Sequence, residues 1–264
     1  MKKKIDNEAE SRCTLIISTF MRPKALDIVL KSVANQSLMP AEVIIADDGS
    51  NPETSQLIKS WGYSLPIIHS WIPNTDFRAA RARNCAVLKA SCSYLVFIDG
   101  DCMLPSNFIE RHLSLKSPGK IVAGGRSLLS KDVSYRILME VNSGSKHLFS
   151  GFKFMNIPLG RLRDLRPKNW ASVRTCNLGI HRTDALSVSG FDENFIGWGR
   201  EDSDFILRLL RAGIRIRSGR LAVCVNHLWH QESPRGRLSN NDQLLAQTMI
   251  DKHSAAKKSS IEHL

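Results

Sequence analysis

Between Cys13 and Gly125, short apolar runs alternate with segments whose apolar residues recur every three or four positions. Such runs, each ended by a polar corner, read as buried strands, and the longer segments as crossover helices. The pattern predicts βαβ units and a mostly parallel sheet. Thr14–Ser18 is the first predicted strand, and Pro23, with its backbone preset for a first helical turn, opens a helix reaching about Asn35. Glu42–Ala46 follows as a strand that ends in the corner Asp47-Asp48-Gly49-Ser50, and Asn51 caps a helix opened by Pro52. Pro66–His69 is a short strand, Phe77–Ala90 a helix, and Tyr94–Ile98 a buried strand that stops at Asp99.

Farther along, the periods blur. Helical spacing surrounds Ile137–Val141, but no pattern continues to Lys168, and a long irregular stretch inside a compact domain reads as a functional loop or lid. Val173–Ile180 then reads as a strand, Thr183–Ser189 as a short helix and Glu201–Ala212 as a helix. Ile214–Ile216 and Ala222–Asn226 read as strands, and Asn240–His253 as a terminal helix. The chain divides into a basic extension (1–12), a first half (13–125), a variable stretch (126–168), a second half (169–232) and a terminal helix with a basic tail (233–264).

Composition adds charge to this picture. In 264 residues, 37 Lys and Arg face 25 Asp and Glu, a formal charge of +12 that favours an anionic partner. An apolar content of 42% excludes a disordered or collagen-like chain. The six cysteines form no CxxC pair or zinc rhythm. No apolar run follows the basic start, so no signal peptide is expected, and no stretch of about 18 uncharged apolar residues suggests a membrane span. The expected compartment is the cytoplasm.

Ligands of open α/β sheets settle at the carboxyl ends of strands. Three predicted strands end in polar clusters: Ser18-Thr19-Phe20, Asp47-Asp48 and Asp99-Gly100-Asp101. Two acids one residue apart suit a hard divalent ion that keeps some waters and takes phosphate oxygens. Asp-x-Asp alone also fits a solvated turn; its place behind Val96-Phe97-Ile98, with acids ending an earlier strand, favours the metal. Gly197-Trp198-Gly199-Arg200-Glu201-Asp202-Ser203-Asp204 sets an indole, a platform for sugar faces, before acids in a helix's first turn, where the dipole alone would also favour them. In His227-Leu228-Trp229-His230 two imidazoles follow a strand, either as ligands for an ion at Asp101 or as structural residues.

Taken together, these pieces resemble a known family. Leu15-Ile16-Ile17-Ser18-Thr19-Phe20, Val43–Ser50, Ala82-Arg83-Asn84 and Phe97–Asp101 are similar to the nucleotide-sugar-binding half of family 2 glycosyltransferases with the GT-A fold. Asn177-Leu178-Gly179, Gly190-Phe191-Asp192-Glu193, Gly197-Trp198-Gly199 with Glu201-Asp202, and His230 resemble the C-terminal module of beta-1,4-galactosyltransferases and chondroitin-type polymerases. The resemblance implies a single α/β domain in which a mixed sheet is flanked by helices. It also implies site roles: Ser18 and Phe20 line a base pocket, Asp47 accepts from uracil, Arg83 sits near the diphosphate, and Asp99 contacts the ribose or the metal's waters. Asp101 and His230 would hold Mn²⁺ or Mg²⁺, with His227 where some relatives place a second ligand; Trp198 and Glu201 would contact sugars, and Asp202 would be the base. Met21, Ala86 and Arg200 depart from the family's usual Asn, Gly and Gly.

The implied activity is inverting transfer of a hexose or N-acetylhexosamine, with galactose or N-acetylgalactosamine favoured. The donor would be a UDP-sugar, and the acceptor a saccharide or lipid-linked glycan of a bacterial capsule or lipopolysaccharide. Inversion by single displacement needs a base and charge neutralisation but no enzyme nucleophile. The basic residues Arg208, Arg211, Arg215, Arg217 and Arg220 are either a solvated face or a peripheral contact with anionic lipid on the inner face of the cell membrane. One rival, a nucleotidyltransferase making NDP-sugars, would want a Gly-rich phosphate loop where Ser18-Thr19-Phe20-Met21-Arg22 has no glycine. The other, a non-catalytic basic protein binding nucleic acid or glycan, finds no RNA-binding aromatic motif or helix-turn-helix, so nucleic acid is not an expected partner.

Overall fold

The apolar runs of the first half become the centre of a seven-stranded sheet, as a computed structural model covering residues 12–140, 170–232 and 234–261 shows. β1 (Thr14–Thr19), α1 (Pro23–Ala34), β2 (Glu42–Asp47), α2 (Pro52–Trp61), β3 (Ile67–Trp71), α3 (Ala79–Lys89) and β4 (Tyr94–Asp99) follow one another. The four strands pair in parallel in the order β3-β2-β1-β4. Alternation sorts their side chains. Leu15, Ile17, Val43, Ile45, Val96 and Ile98 pack with Leu26, Val29 and Leu30 of α1, while Ile16, Ile44, Leu95 and Phe97 pack with Ala82, Ala86 and Val87 of α3 on the other face. Both faces are covered, which is why β1, β2 and β4 each carry an unbroken apolar run.

The second half completes the sheet with reversed strands. β6 (Lys120–Ala123), β8 (Asn177–His181) and β9 (Arg215–Ser218) extend it to β4-β8-β6-β9, with β8 antiparallel to both neighbours and β9 parallel to β6. A small second sheet, β5-β10-β7, is built from β5 (Cys102–Met103), β7 (Gly125–Leu128) and β10 (Cys224–His227). The remaining helices are α4 (Phe108–Leu115), α5 (Lys131–Glu140), α6 (Arg182–Ser187), α7 (Glu201–Arg211) and α8 (Leu238–Asp251). The whole is the α/β arrangement of a mixed sheet between helices. His112 of α4 is buried, its Nε2 2.9 Å from Asn177 Oδ1, and burial pushes its pKa down to about 4. A neutral imidazole thus ties α4 to β8.

Several expectations shift. The strand expected over Val173–Ile180 begins only at Asn177, because Trp170–Ser172 makes a 3₁₀ turn and Thr175 bends to bond Asp202. The helical spacing around Ile137 belongs to α5, which starts at Lys131. Of the variable stretch, 141–168 lies outside the described residues, as does nearly all of the 1–12 extension. The basic face is corrected as well. Arg208 is fully buried, with its guanidinium on Asp204 and on the Val188 carbonyl, and Arg211 and Arg217 donate to backbone carbonyls. Arg208 is therefore lost to a basic face, while Arg211 and Arg217 are half-buried and partly bound within the fold.

Candidate active site

Two corners at the carboxyl ends of β2 and β4 carry the acids. In the first, Gly49 turns with φ +91°, and a Cβ there would stand 2.5 Å from backbone atoms of Asn74. The turn folds Asp47 inward. Its Oδ1 accepts the Ser50 N–H at 2.8 Å and its Oδ2 meets His69 Nε2 at 2.8 Å. Burial alone would raise the Asp47 pKa, but the bonds from His69 and Ser50 leave it lowered. Asp48 accepts the Arg78 N–H at 2.7 Å through Oδ2, while its buried Oδ1 has no partner. Burial pushes its pKa up to about 6 against the pull of Arg78 and Arg83.

The second corner is built around cations. Arg83, on α3 and almost wholly buried, reaches three acids: Asp99 at 3.6 Å, Glu201 at 3.2 Å and Asp202 at 3.6 Å. Its Nε donates to Ser18 Oγ at 3.2 Å. Desolvation opposes the charge on Arg83, yet Asp202, Glu201 and Asp99 outweigh it and its pKa rises. Burial pushes Asp99 up to about 7 despite Arg83, with Asp101, Asp202 and Glu201 adding to the shift. Glu201 is likewise raised, first by burial and then by Asp202. Asp202 is oriented by Thr175, whose hydroxyl donates to Oδ1 at 2.6 Å.

Asp101 faces the other way, toward the small sheet. Pairing of β5 with β10 sets His227 opposite Cys102, and the Leu228 N–H donates to the Asp101 carbonyl at 2.9 Å. That register brings His227 Nε2 to 3.3 Å from Asp101 Oδ1 and His230 Nε2 to 3.3 Å from Oδ2. One atom from each of the three side chains lies within 4.8 Å of the others. A carboxylate beside two imidazoles is a donor set for Mn²⁺; Mg²⁺, which prefers oxygen alone, fits it less well. Burial lowers the His227 pKa despite the opposing pull of Asp101, with Arg126, His230 and Arg22 adding to the shift.

The expected residues thus fall into two joined networks. Ser18, Arg83, Asp99, Glu201 and Asp202 make one; Asp101, His227 and His230 make the other, and Asp99 and Asp101 are two positions apart. Asp47 stands outside both, and a base reaching its carboxylate would have to displace His69. Phe20 and Trp198 are partly exposed, and the Arg235 guanidinium lies 4.9 Å from the Trp198 ring centre. Gly197 and Gly199, with φ of +85° and +99°, shape the turn carrying that indole. Arg200, which replaces a usual Gly, adopts φ +78° and is held by Asp242 at 2.5 Å.

Sequence reasoning missed Thr175 and Arg22. Arg22 Nη1 lies 2.6 Å from Asp101 Oδ2. A basic residue just beyond a strand end, before the proline that opens a helix, was the available signal; Thr175 gave none, because its partner is distant in sequence.

Comparisons with known proteins bear on the family and the fold. Residues 14–186 match the family described as Glycosyl transferase family 2, and residues 162–231 match the N-terminal domain of galactosyltransferase. Validoxylamine A glucosyltransferase of Streptomyces hygroscopicus subsp. limoneus is 27% identical over 241 residues, spanning 85% of this chain and 52% of that protein. Chondroitin synthase of Escherichia coli is 25% identical over 254 residues, spanning 87% of this chain and 36% of that protein. The chain therefore spans about half or less of the length of these relatives. S. aureus TarS 1-349, solved in complex with UDP, superposes with a TM-score of 0.64 at 15% identity, covering 95% of this chain and 68% of that one. Mannosyltransferase PcManGT from Pyrobaculum calidifontis, solved with GDP-Man and Mn²⁺, gives 0.62 at 19% identity, covering 91% and 64%. The shared fold is GT-A, and the first match alone spans well over half the chain. The chain belongs to glycosyl transferase family 2.

Proposed function

We propose that this chain is an inverting, metal-dependent glycosyltransferase. It would move a hexose or N-acetylhexosamine from a UDP-sugar onto a saccharide or lipid-linked glycan acceptor in bacterial surface-glycan synthesis. One observation carries the reading: Asp101, at the end of the first half, meets His227 and His230 from the far end of the second. Support for a nucleotide donor comes from the UDP complex of one neighbour, and support for the cation from the Mn²⁺ of another. Galactose and N-acetylgalactosamine lead because residues 162–231 match a galactosyltransferase domain. The names of the relatives keep glucose in play.

Asp101, His227 and His230 would hold the cation, which when bound offsets the charge that develops on the departing diphosphate. The remaining work falls to side chains. Asp202, its Oδ1 fixed by Thr175, would take the proton of the acceptor hydroxyl as that oxygen attacks the anomeric carbon. Arg83 keeps Asp202, Glu201 and Asp99 together and adds positive charge near the diphosphate. Ser18 and Phe20 would line the base pocket, with Asp47 acting at its floor through His69. Trp198 and Glu201 would contact the sugars.

The test is UDP release across a panel of UDP-sugars with Mn²⁺, because slow donor hydrolysis needs no known acceptor. One donor should release UDP, and EDTA should stop it. Release undiminished by EDTA would reject the metal role, and release from GDP-sugars alone would reject the donor.

A further inference from the structure

Arg22 is the group on Asp101 to which no role has been given. Its backbone is fixed from both sides: Met21, at φ +50°, donates its N–H to Ser50 Oγ at 2.9 Å, and the Arg22 carbonyl accepts the Leu26 N–H at 3.1 Å as α1 begins. Its side chain is 36% exposed, so solvent and ligands can reach it. The position is electrostatically uphill. A guanidinium stands at the positive end of a twelve-residue helix whose first turn has no acid. Its resting compensation is Asp101 Oδ2 at 2.6 Å, the same oxygen that His230 approaches at 3.3 Å.

A divalent cation held by Asp101 and the two histidines would repel a guanidinium on that carboxylate. A released Arg22, beside the positive start of α1, is suited to an anion, and a diphosphate offers oxygens for a forked, charge-assisted pair. We infer that Arg22 is a positioning residue that holds Asp101 while the site is empty and passes to the donor's diphosphate when the cation arrives. Nucleotide and metal then assist each other: a diphosphate that draws Arg22 away vacates Asp101, and a cation that takes Asp101 frees Arg22. The coupling is reciprocal by linkage. The inference rests on Asp101 being a metal ligand.

The experiment is a Mn²⁺ titration of the full chain, read by the EPR signal of the free ion, with and without UDP. It compares wild type, Arg22→Gln, Arg22→Lys and Asp101→Asn, each checked for folding by circular dichroism. Without UDP, Arg22→Gln should bind Mn²⁺ about two- to fivefold more tightly than wild type, since it no longer loses an ion pair on binding. Its UDP affinity should fall, and the gain in Mn²⁺ affinity that UDP gives the wild type should shrink toward none. Arg22→Lys, with one point charge and a shorter reach, should fall between the two, and it decides the matter if Arg22→Gln does not fold. Equal Mn²⁺ affinity and equal UDP enhancement in wild type and the folded Arg22 variants would overturn the inference and leave a plain surface ion pair. Asp101→Asn separates the two failures: undiminished Mn²⁺ binding there would sink the metal site itself, whatever Arg22 does.

Discussion

Two aspartate corners sit at the same end of the parallel strands β2 and β4, on either side of β1, and they are built differently. Asp47 and Asp48 are held by backbone N–H groups of Ser50 and Arg78, with His69 and the Ser50 hydroxyl as side-chain partners of Asp47. Asp99 and Asp101 are held by side chains alone: Arg83, Arg22, His227 and His230. A peptide N–H cannot leave without unfolding its turn, whereas a guanidinium or imidazole can turn aside. The first corner is therefore fixed mostly by its own turn, with His69 as a partner that can turn aside, and the second can trade more of its partners for ligands. Residue type does not separate them; the mobility of what faces each carboxylate does.

That contrast can be broken or sharpened by mutation. The largest effect should come from Asp101→Ala, which ought to lower Mn²⁺-dependent UDP release about a thousandfold or more; near-normal release would return the second corner to architecture. Asp202→Asn should cut turnover by roughly two to four orders of magnitude while UDP binding, measured by calorimetry, stays within about twofold. Thr175→Val, which only loosens Asp202, should cost about tenfold in turnover with donor KM unchanged.

At the first corner the expected losses are of stability. Gly49→Ala forces a Cβ to 2.5 Å from Asn74 backbone atoms at φ +91°, and should cost about 2–4 kcal/mol in denaturant unfolding. The smallest effect is the pH response of Asp48. Its folded pKa of about 6 lies above the ordinary aspartate value of 3.8, so the folded state binds the proton more tightly and stability falls as pH rises from about 4 to about 6. Asp48→Asn keeps the acceptor for the Arg78 N–H and removes the charge. It should therefore flatten that decline, by about 1–2 kcal/mol across the window. An unchanged slope would mean the carboxylate is not the source.

Legibility in the sequence followed the length of each element. β1, β2 and β4 were readable because both faces are buried and each carries an unbroken apolar run, and α1 because Pro23 and its period mark it. β5, β6 and β7, of two to four residues, carry no period, and α4 was passed over for the same reason. The acids and histidines of the site were legible as types at strand and helix ends. Their partnerships were not. Nothing local to Arg83 shows that it gathers acids from β4 and α7, and nothing near Thr175 shows that it breaks a strand to hold Asp202.

The reversal of β8 also bears on how the chain reaches this fold. β2 and β3 pair with strands fewer than 30 positions away, but β1 waits about 80 positions for β4, and Ile98 of β4 roughly 80 more for Asn177. Until then the apolar run Tyr94–Ile98 is an open sheet edge, the kind of surface on which chains stick to one another. Aggregation during synthesis should therefore be governed less by the finished molecule's stability than by how quickly β8 arrives to cover that edge.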